Sequence, residues 1–169
     1  MNAQIEQLLG SYEEGHISRR ELLALLTTLF VSFSAASAEK PAIGAVKQLN
    51  HVTIFVQDVS KSAAFYRELF AMPLLTPQPP GVNLNAGTGF LGIYPAQGRR
   101  TGIDHFCFGL ENFDPDVVLN KLTARGLNAR IRLRGDTKEL MLTDPDNVRV
   151  QLQDVTYNGG VGPLGNRHP

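Results

Sequence analysis

Cysteine is nearly absent: Cys107 is the only one in 169 residues, so no intramolecular disulfide staples the chain. Neither sign of charge is in excess, because sixteen basic side chains meet sixteen acidic ones. No basic cluster interleaves with aromatics, which argues against a nucleic-acid partner. The apolar run at residues 23–33 is too short and too rich in Ser and Thr for a stable membrane span. A chain of this length has room for one domain with a proper hydrophobic core.

What is present is a repeat. Leu49-Asn50-His51-Val52-Thr53-Ile54-Phe55-Val56 recurs loosely as Ile103-Asp104-His105-Phe106-Cys107-Phe108-Gly109-Leu110, with a histidine in register. The two histidines are too far apart for one helix or hairpin, and their spacing suits two copies of one supersecondary unit. Successive side chains of a strand face opposite ways, so His51, Thr53 and Phe55 share a face. Val52, Ile54 and Val56 take the other, which reads as the face buried under a helix. In the second copy Phe106 and Phe108 take the helix-covered face, leaving His105, Cys107 and Gly109 opposite. Both imidazoles are therefore expected to look into one concavity.

Each copy leads into a helical pattern. After Asp58, Ser60 reads as an N-cap, followed by Ala63, Ala64, Phe65 or Tyr66, and Leu69 or Phe70. After Asn112, Asp114 reads as a cap with Pro115 in the first turn, and Gly126 as the stop. Short strands follow, at residues 82–85 and 89–94 in the first copy and at 129–133, 139–143 and 148–153 in the second. Asp144-Pro145-Asp146-Asn147 is a tight turn by composition, and Pro77-Gln78-Pro79-Pro80-Gly81 a loop. The unit is βαβββ, written twice.

The stretches Leu49-Asn50-His51-Val52, Asp58-Val59 with Phe65-Tyr66, Gly102-Ile103-Asp104-His105-Phe106, and Asp144-Pro145-Asp146-Asn147 leading to Val150-Gln151-Leu152 resemble the vicinal oxygen chelate (VOC) superfamily of glyoxalases, bleomycin-resistance proteins and type I extradiol dioxygenases. The resemblance implies an α+β fold in which two βαβββ repeats, about residues 47–98 and 99–154, form an open eight-stranded cupped sheet. It assigns residues 39–154 to this domain and leaves 155–169 as a glycine-rich tail, either folded over the cavity mouth or loose. It implies a divalent ion on His51, His105 and the position of Gln151. Fe2+ or Mn2+ suits such a set best, with Zn2+ or Ni2+ as other candidates. Glutamine stands where a carboxylate is usual, which removes a negative charge and a resident base.

A fourth ligand of the glyoxalase kind has no counterpart, since Phe90-Leu91-Gly92-Ile93-Tyr94 holds no carboxylate. Glyoxalase isomerisation is accordingly disfavoured. Two histidines and one oxygen donor with open positions are closer to the facial triad of non-haem iron dioxygenases. Tyr94, Tyr157 and His168 are candidate outer acids or bases, and Gln153 reads as an ordinary strand-end polar residue rather than a ligand. Cys107 reads as a buried inert thiol. Arg99, Arg100, Arg130, Arg132 and Arg134 are spread over a linker and a strand; they would suit an anionic substrate, but a charged, solvated edge strand is the preferred reading.

Three readings of function follow: a metal-dependent, dioxygenase-like enzyme that grips a small-molecule substrate by two adjacent oxygens; a metal-free binding or resistance protein; and a glyoxalase-like lyase or isomerase. The first is preferred. The resemblance also implies a homodimer. Residues 1–38 resemble a twin-arginine export signal, with Arg19-Arg20 before the apolar run and Ala36-Ser37-Ala38 before Glu39. On that reading the mature protein is periplasmic or secreted. The alternative is a helical hairpin turning at Gly15, with Ser18 and Glu21 as a capping box, in a cytoplasmic protein.

Overall fold

The computed structural model describes residues 3–36 and 41–168. The chain divides into two compact units, Met1–Pro41 and Ala42–Pro169.

The first unit holds α1 (Ala3–Glu13) and α2 (Arg19–Ala36). The chain reverses between them through Gly15 at φ 75°. Ser18 and Glu21 form a reciprocal capping box: the Ser18 N–H donates to Glu21 Oε2 at 2.8 Å, and Ser18 Oγ accepts from the Glu21 N–H at 3.3 Å. The hairpin with its capping box is thus formed. The expected cleavage pattern runs into residues 37–40, which lie outside the described residues. Among the described residues no helix is long and apolar enough to cross a membrane.

The second unit reads β1 (Val46–Val56), α3 (Val59–Phe70), β2 (Leu74–Gln78), β3 (Gly81–Asn85), β4 (Phe90–Pro95), then β5 (Gly102–Leu110), α4 (Pro115–Thr123), β6 (Ala129–Arg134), β7 (Thr137–Thr143) and β8 (Arg149–Asp154). This is βαβββ twice. The strands form one curled half-barrel sheet in the order β2-β3-β4-β1-β5-β8-β7-β6. The order is symmetric about the central antiparallel pair β1 and β5. On either side the first and last strands of each repeat run parallel, β1 with β4 and β5 with β8.

Two local expectations are corrected. Asp58, not Ser60, caps α3: its Oδ1 accepts the Lys61 N–H at 2.9 Å, so the helix starts immediately after the strand. Residues 74–78 form a strand, although Pro77 there suggested a loop. β2 is the outermost strand and pairs only with β3, so a missing proline N–H leaves no ladder partner unmet. The second repeat follows expectation, with Asp114 accepting from the N–H groups of Asp116 and Val117 and Pro115 opening α4.

The main apolar core lies on the α4 side of the sheet. Leu110, Phe113, Val118, Leu122, Leu140, Val150 and Leu152 are buried together, with Phe106 and Phe108 packed against them. The phenylalanines of the second copy therefore face the helix, as alternation required. α3 is covered less: none of its residues is buried, and Phe65, Leu69 and Phe70 are exposed. Leu122, 2% exposed, sits at the centre of the α4 packing. Leu122→Ala should lower unfolding free energy by about 2–5 kcal/mol in urea denaturation, the range for a truncated core leucine.

Candidate metal centre

The concave face of the sheet is built by alternation along β1 and β5. His51, Thr53 and Phe55 are buried there, as are His105, Cys107 and Gly109, while Val52, Ile54 and Val56 are half-buried on the other side. The β1–β5 register sets Thr53 against His105 and His51 against Cys107. Their ring nitrogens His51 Nε2 and His105 Nε2 come within 3.3 Å of each other.

The neighbours of these rings fix where their protons sit. Asn50 donates its amide Nδ2 to the Tyr157 carbonyl at 2.9 Å, which leaves its Oδ1 to accept from His51 Nδ1–H, also at 2.9 Å. Asp104 accepts from His105 Nδ1–H at 2.7 Å and is itself ion-paired with Arg149. A carboxylate or an amide oxygen only accepts, so each imidazole keeps its proton on Nδ1 and turns a bare lone pair inward. The residue before each histidine thus has the same job in both copies. Its presence in both Asn50-His51 and Asp104-His105 was the sequence signal for it.

Gln151 supplies the third atom. It pairs with Cys107 across β5 and β8 and is 1% exposed. The Gln151 side chain lies close enough to both imidazoles to raise their pKa against the effect of burial. Its amide nitrogen is buried without a hydrogen-bond partner. Two imidazole lone pairs therefore converge beside the Gln151 amide with no proton between them, an arrangement that a cation would relieve. Two imidazole nitrogens each about 2.1 Å from one ion and 3.3 Å apart would subtend roughly 100° at it, within the range of tetrahedral and octahedral centres. The donor set fits a divalent ion. Among the described residues no cluster of three His, Cys, Asp or Glu does so.

The same register shows why there is no fourth donor. Gln151 faces Cys107, two residues past His105, and the symmetric pairing sets Gly92 against Thr53, two residues past His51. A Cβ at Gly92 would come 3.0 Å from the Tyr94 ring and 3.1 Å from Thr53 Oγ1, so the place is already filled. Phe90 stacks on the His51 ring at 4.3 Å.

The cavity has a volume of about 400 Å³, and His51, His105, Gln151, Tyr94 and Tyr157 all line it. Tyr94 bonds Gln78 and Asn83, and burial pushes its phenol up to about 12. Tyr157 lies 5.5 Å from the His51 ring and donates its O–H to Glu139 at 3.0 Å, and burial pushes its phenol far up. Both phenols stay protonated near neutral pH. Gln153 is buried and donates to the Lys138 carbonyl, away from the ligand set. Burial raises the Cys107 thiol well above its usual range, so it is inert. His168 is exposed on the tail.

Sequence reasoning missed Glu139 and misread two arginines. Glu139, 1% exposed, takes Arg132 Nε at 2.7 Å and Arg134 Nε at 2.9 Å. Burial works to raise its pKa, but the two guanidiniums outweigh that and hold it below the usual range. Arg134 therefore folds into the cavity wall, and Arg132, with half of its side chain in solvent, reaches the same carboxylate from the rim. The cross-strand pairing of Arg132 with Glu139 carries this arrangement, and that pairing is a long-range fact.

Residues 48–152 match the family model described as the Glyoxalase/Bleomycin resistance protein/Dioxygenase superfamily. The chain belongs to that superfamily. It is 27% identical over 119 residues to the metallothiol transferase FosB of Staphylococcus saprophyticus, covering 66% of this chain and 79% of that protein. It is 26% identical over 130 residues to human mitochondrial methylmalonyl-CoA epimerase, covering 64% and 74%. In fold it is similar to the methylmalonyl-CoA epimerase of Mycobacterium tuberculosis, with a TM-score of 0.53, 17% identity, and coverage of 68% and 91%.

Within this superfamily fold the imidazoles are set for neutrality. Burial, then the neighbouring His105, drive His51 well below its usual value, and burial with Arg132 lowers His105 to about 4. Above pH 6.5 both are neutral whether folded or unfolded and contribute nothing to pH dependence. Below it the unfolded chain takes up protons that the folded chain refuses, so stability falls as pH drops. Metal-free protein should lose thermal stability between pH 6.5 and about 4, and His51→Ala/His105→Ala should flatten that slope in a pH series of melting curves.

Proposed function

We propose that the protein is a metal-dependent enzyme that grips a small molecule by two adjacent oxygens on a divalent ion held by His51, His105 and Gln151. The observation that carries this is the convergence of two bare Nε2 lone pairs beside the buried Gln151 amide, whose nitrogen is left unpartnered. Fe2+ or Mn2+ suits two imidazoles and an oxygen, with Zn2+ or Ni2+ also compatible. When bound, the ion would gather the substrate oxygens and offset negative charge developing on them.

The chain's own residues do the rest. Asn50 and Asp104 hold the imidazoles in one tautomer and orientation, as outer partners of metal ligands do. Gln151 brings no charge, so the ion keeps its full charge for the substrate. Tyr94 and Tyr157 present protonated phenols to the same cavity. Phe90 and Phe55 give it apolar walls.

The open positions and the two-histidine set support a dioxygenase-like reaction. A lyase- or transferase-like use of the same ion is the second reading, favoured by the similarity to a metallothiol transferase and an epimerase. An epimerisation needs a base, and Glu139, clamped by two arginines, is a weak one. Elemental analysis of untagged protein should find about one ion per chain, with content falling by roughly tenfold or more in His51→Ala and His105→Ala and the ion held more tightly against a chelator in Gln151→Glu. Unchanged metal content and ligand affinity in the alanine variants would sink the reading and leave a metal-free binding protein.

Export and a homodimer are proposed alongside, from the twin-arginine pattern and the family resemblance. Protein recovered from cells should begin at Glu39 by mass and sediment as a dimer. An intact N-terminus would make α1 and α2 a permanent helical arm, and a monomer would end the dimer proposal.

A further inference from the structure

Three guanidiniums line the cavity, and the charges around them do not cancel. Arg132 and Arg134 share one carboxylate, Glu139, which also accepts the Tyr157 O–H. Arg134 is held further by the Gly160 carbonyl and by Tyr157 Oη, both through Nη2. A guanidinium has five N–H groups in a fixed fork, and the Nη1 group of each arginine takes no part in these bonds. The third, Arg99, lies 3.7 Å over the centroid of the Phe55 ring and bonds only the Ala96 carbonyl. Among the described residues no carboxylate pairs with it. The other lining carboxylate, Asp104, already has Arg149.

The geometry separates this charge from the metal ligands along the strand. Phe55 follows His51 by four residues on one face of β1, about 13 Å at the rise of a strand. Arg99 thus marks one end of the cavity and the imidazoles the other. A buried carboxylate whose two oxygens each hold one arginine is a buttress: it fixes both forks while leaving their net charge positive.

We propose that Arg132 and Arg134 form an oxyanion subsite beside the imidazoles, so that the substrate carries a carboxylate or phosphate-type group in addition to its chelating oxygens, with Arg99 a separate charge at the other end of the cavity. Glu139 and Tyr157 are positioning residues for it. The chelating part rests on the metal reading above, whereas the arginine subsite stands without it.

The test uses metal-free, full-length protein titrated calorimetrically with inorganic phosphate and with malonate, against chloride at matched ionic strength. Binding of either above chloride is expected, with phosphate preference indicating a tetrahedral group and malonate preference a planar one. Arg132→Gln should weaken it by about tenfold, while Arg99→Gln at the other end of the cavity and Lys61→Gln on α3 should leave it nearly unchanged. Glu139→Gln, which loosens the buttress under both forks, should weaken phosphate binding and Glu139→Asp should restore part of it, whereas a merely structural Glu139 would leave phosphate affinity unchanged. Neither anion exceeding chloride, or no response to Arg132→Gln, overturns the proposal. His51→Ala should leave phosphate binding intact while removing metal, so the two readings fail separately.

Discussion

The antiparallel ladder between β1 and β5 is the constraint on which the site depends. It is the seam between the two repeats, and its register sets Thr53 against His105 and His51 against Cys107. A slip of one residue would turn one imidazole to the helix side and bury a valine or phenylalanine in the cavity. The outer ladders add the rest in symmetric steps: β8 brings Gln151 up to Cys107, and β4 brings Gly92 up to Thr53. One repeat therefore contributes a histidine and an oxygen, the other a histidine and a space filled by Tyr94.

The C-terminal segment ties the two outer walls of the cup together. Its carbonyls accept from Thr76 and Gln78 on the β2 edge, and from Arg134 and Thr137 on the opposite edge. Both outer walls are tied by one strap. Close approach makes this demanding: Gly165 has φ 61°, and a Cβ there would lie 2.6 Å from the Tyr157 ring. The strap also reaches the proposed metal ligands, because the Tyr157 carbonyl orients the Asn50 amide and Asn50 orients His51. Tying the walls and setting the His51 tautomer are one set of contacts.

Much of this was legible in the chain. The paired histidines, their strand faces, the Asp114 cap and the Asp144 to Asn147 turn, with Asn147 at φ 64°, all follow from local alternation and turn chemistry. What failed was long-range. β2 contains a proline and is a strand only because it needs no partner on its outer side. Arg132 and Arg134 look solvated until β7 brings Glu139 beneath them. The tail has no periodicity, since side-chain hydrogen bonds to its backbone hold it in place of an apolar face. At the N-terminus the capping box formed as one reading required, yet a helix is compatible with an export signal too.

Gln151 and the arginines bear on one balance of charge. Neutral donors hold a hard dication less firmly than a set with a carboxylate, and Arg132 and Arg134 add positive potential at the imidazoles. Metal and cavity repel more than they would with glutamate at position 151. An anion seated between them reverses the sign of both effects: it fills the ion's open positions and neutralises the excess of guanidinium. By linkage, whatever the anion gains from the metal, the metal gains from the anion. A glutamine at position 151 therefore ties metal retention to the substrate, so that in the proposed enzyme each would strengthen the hold on the other.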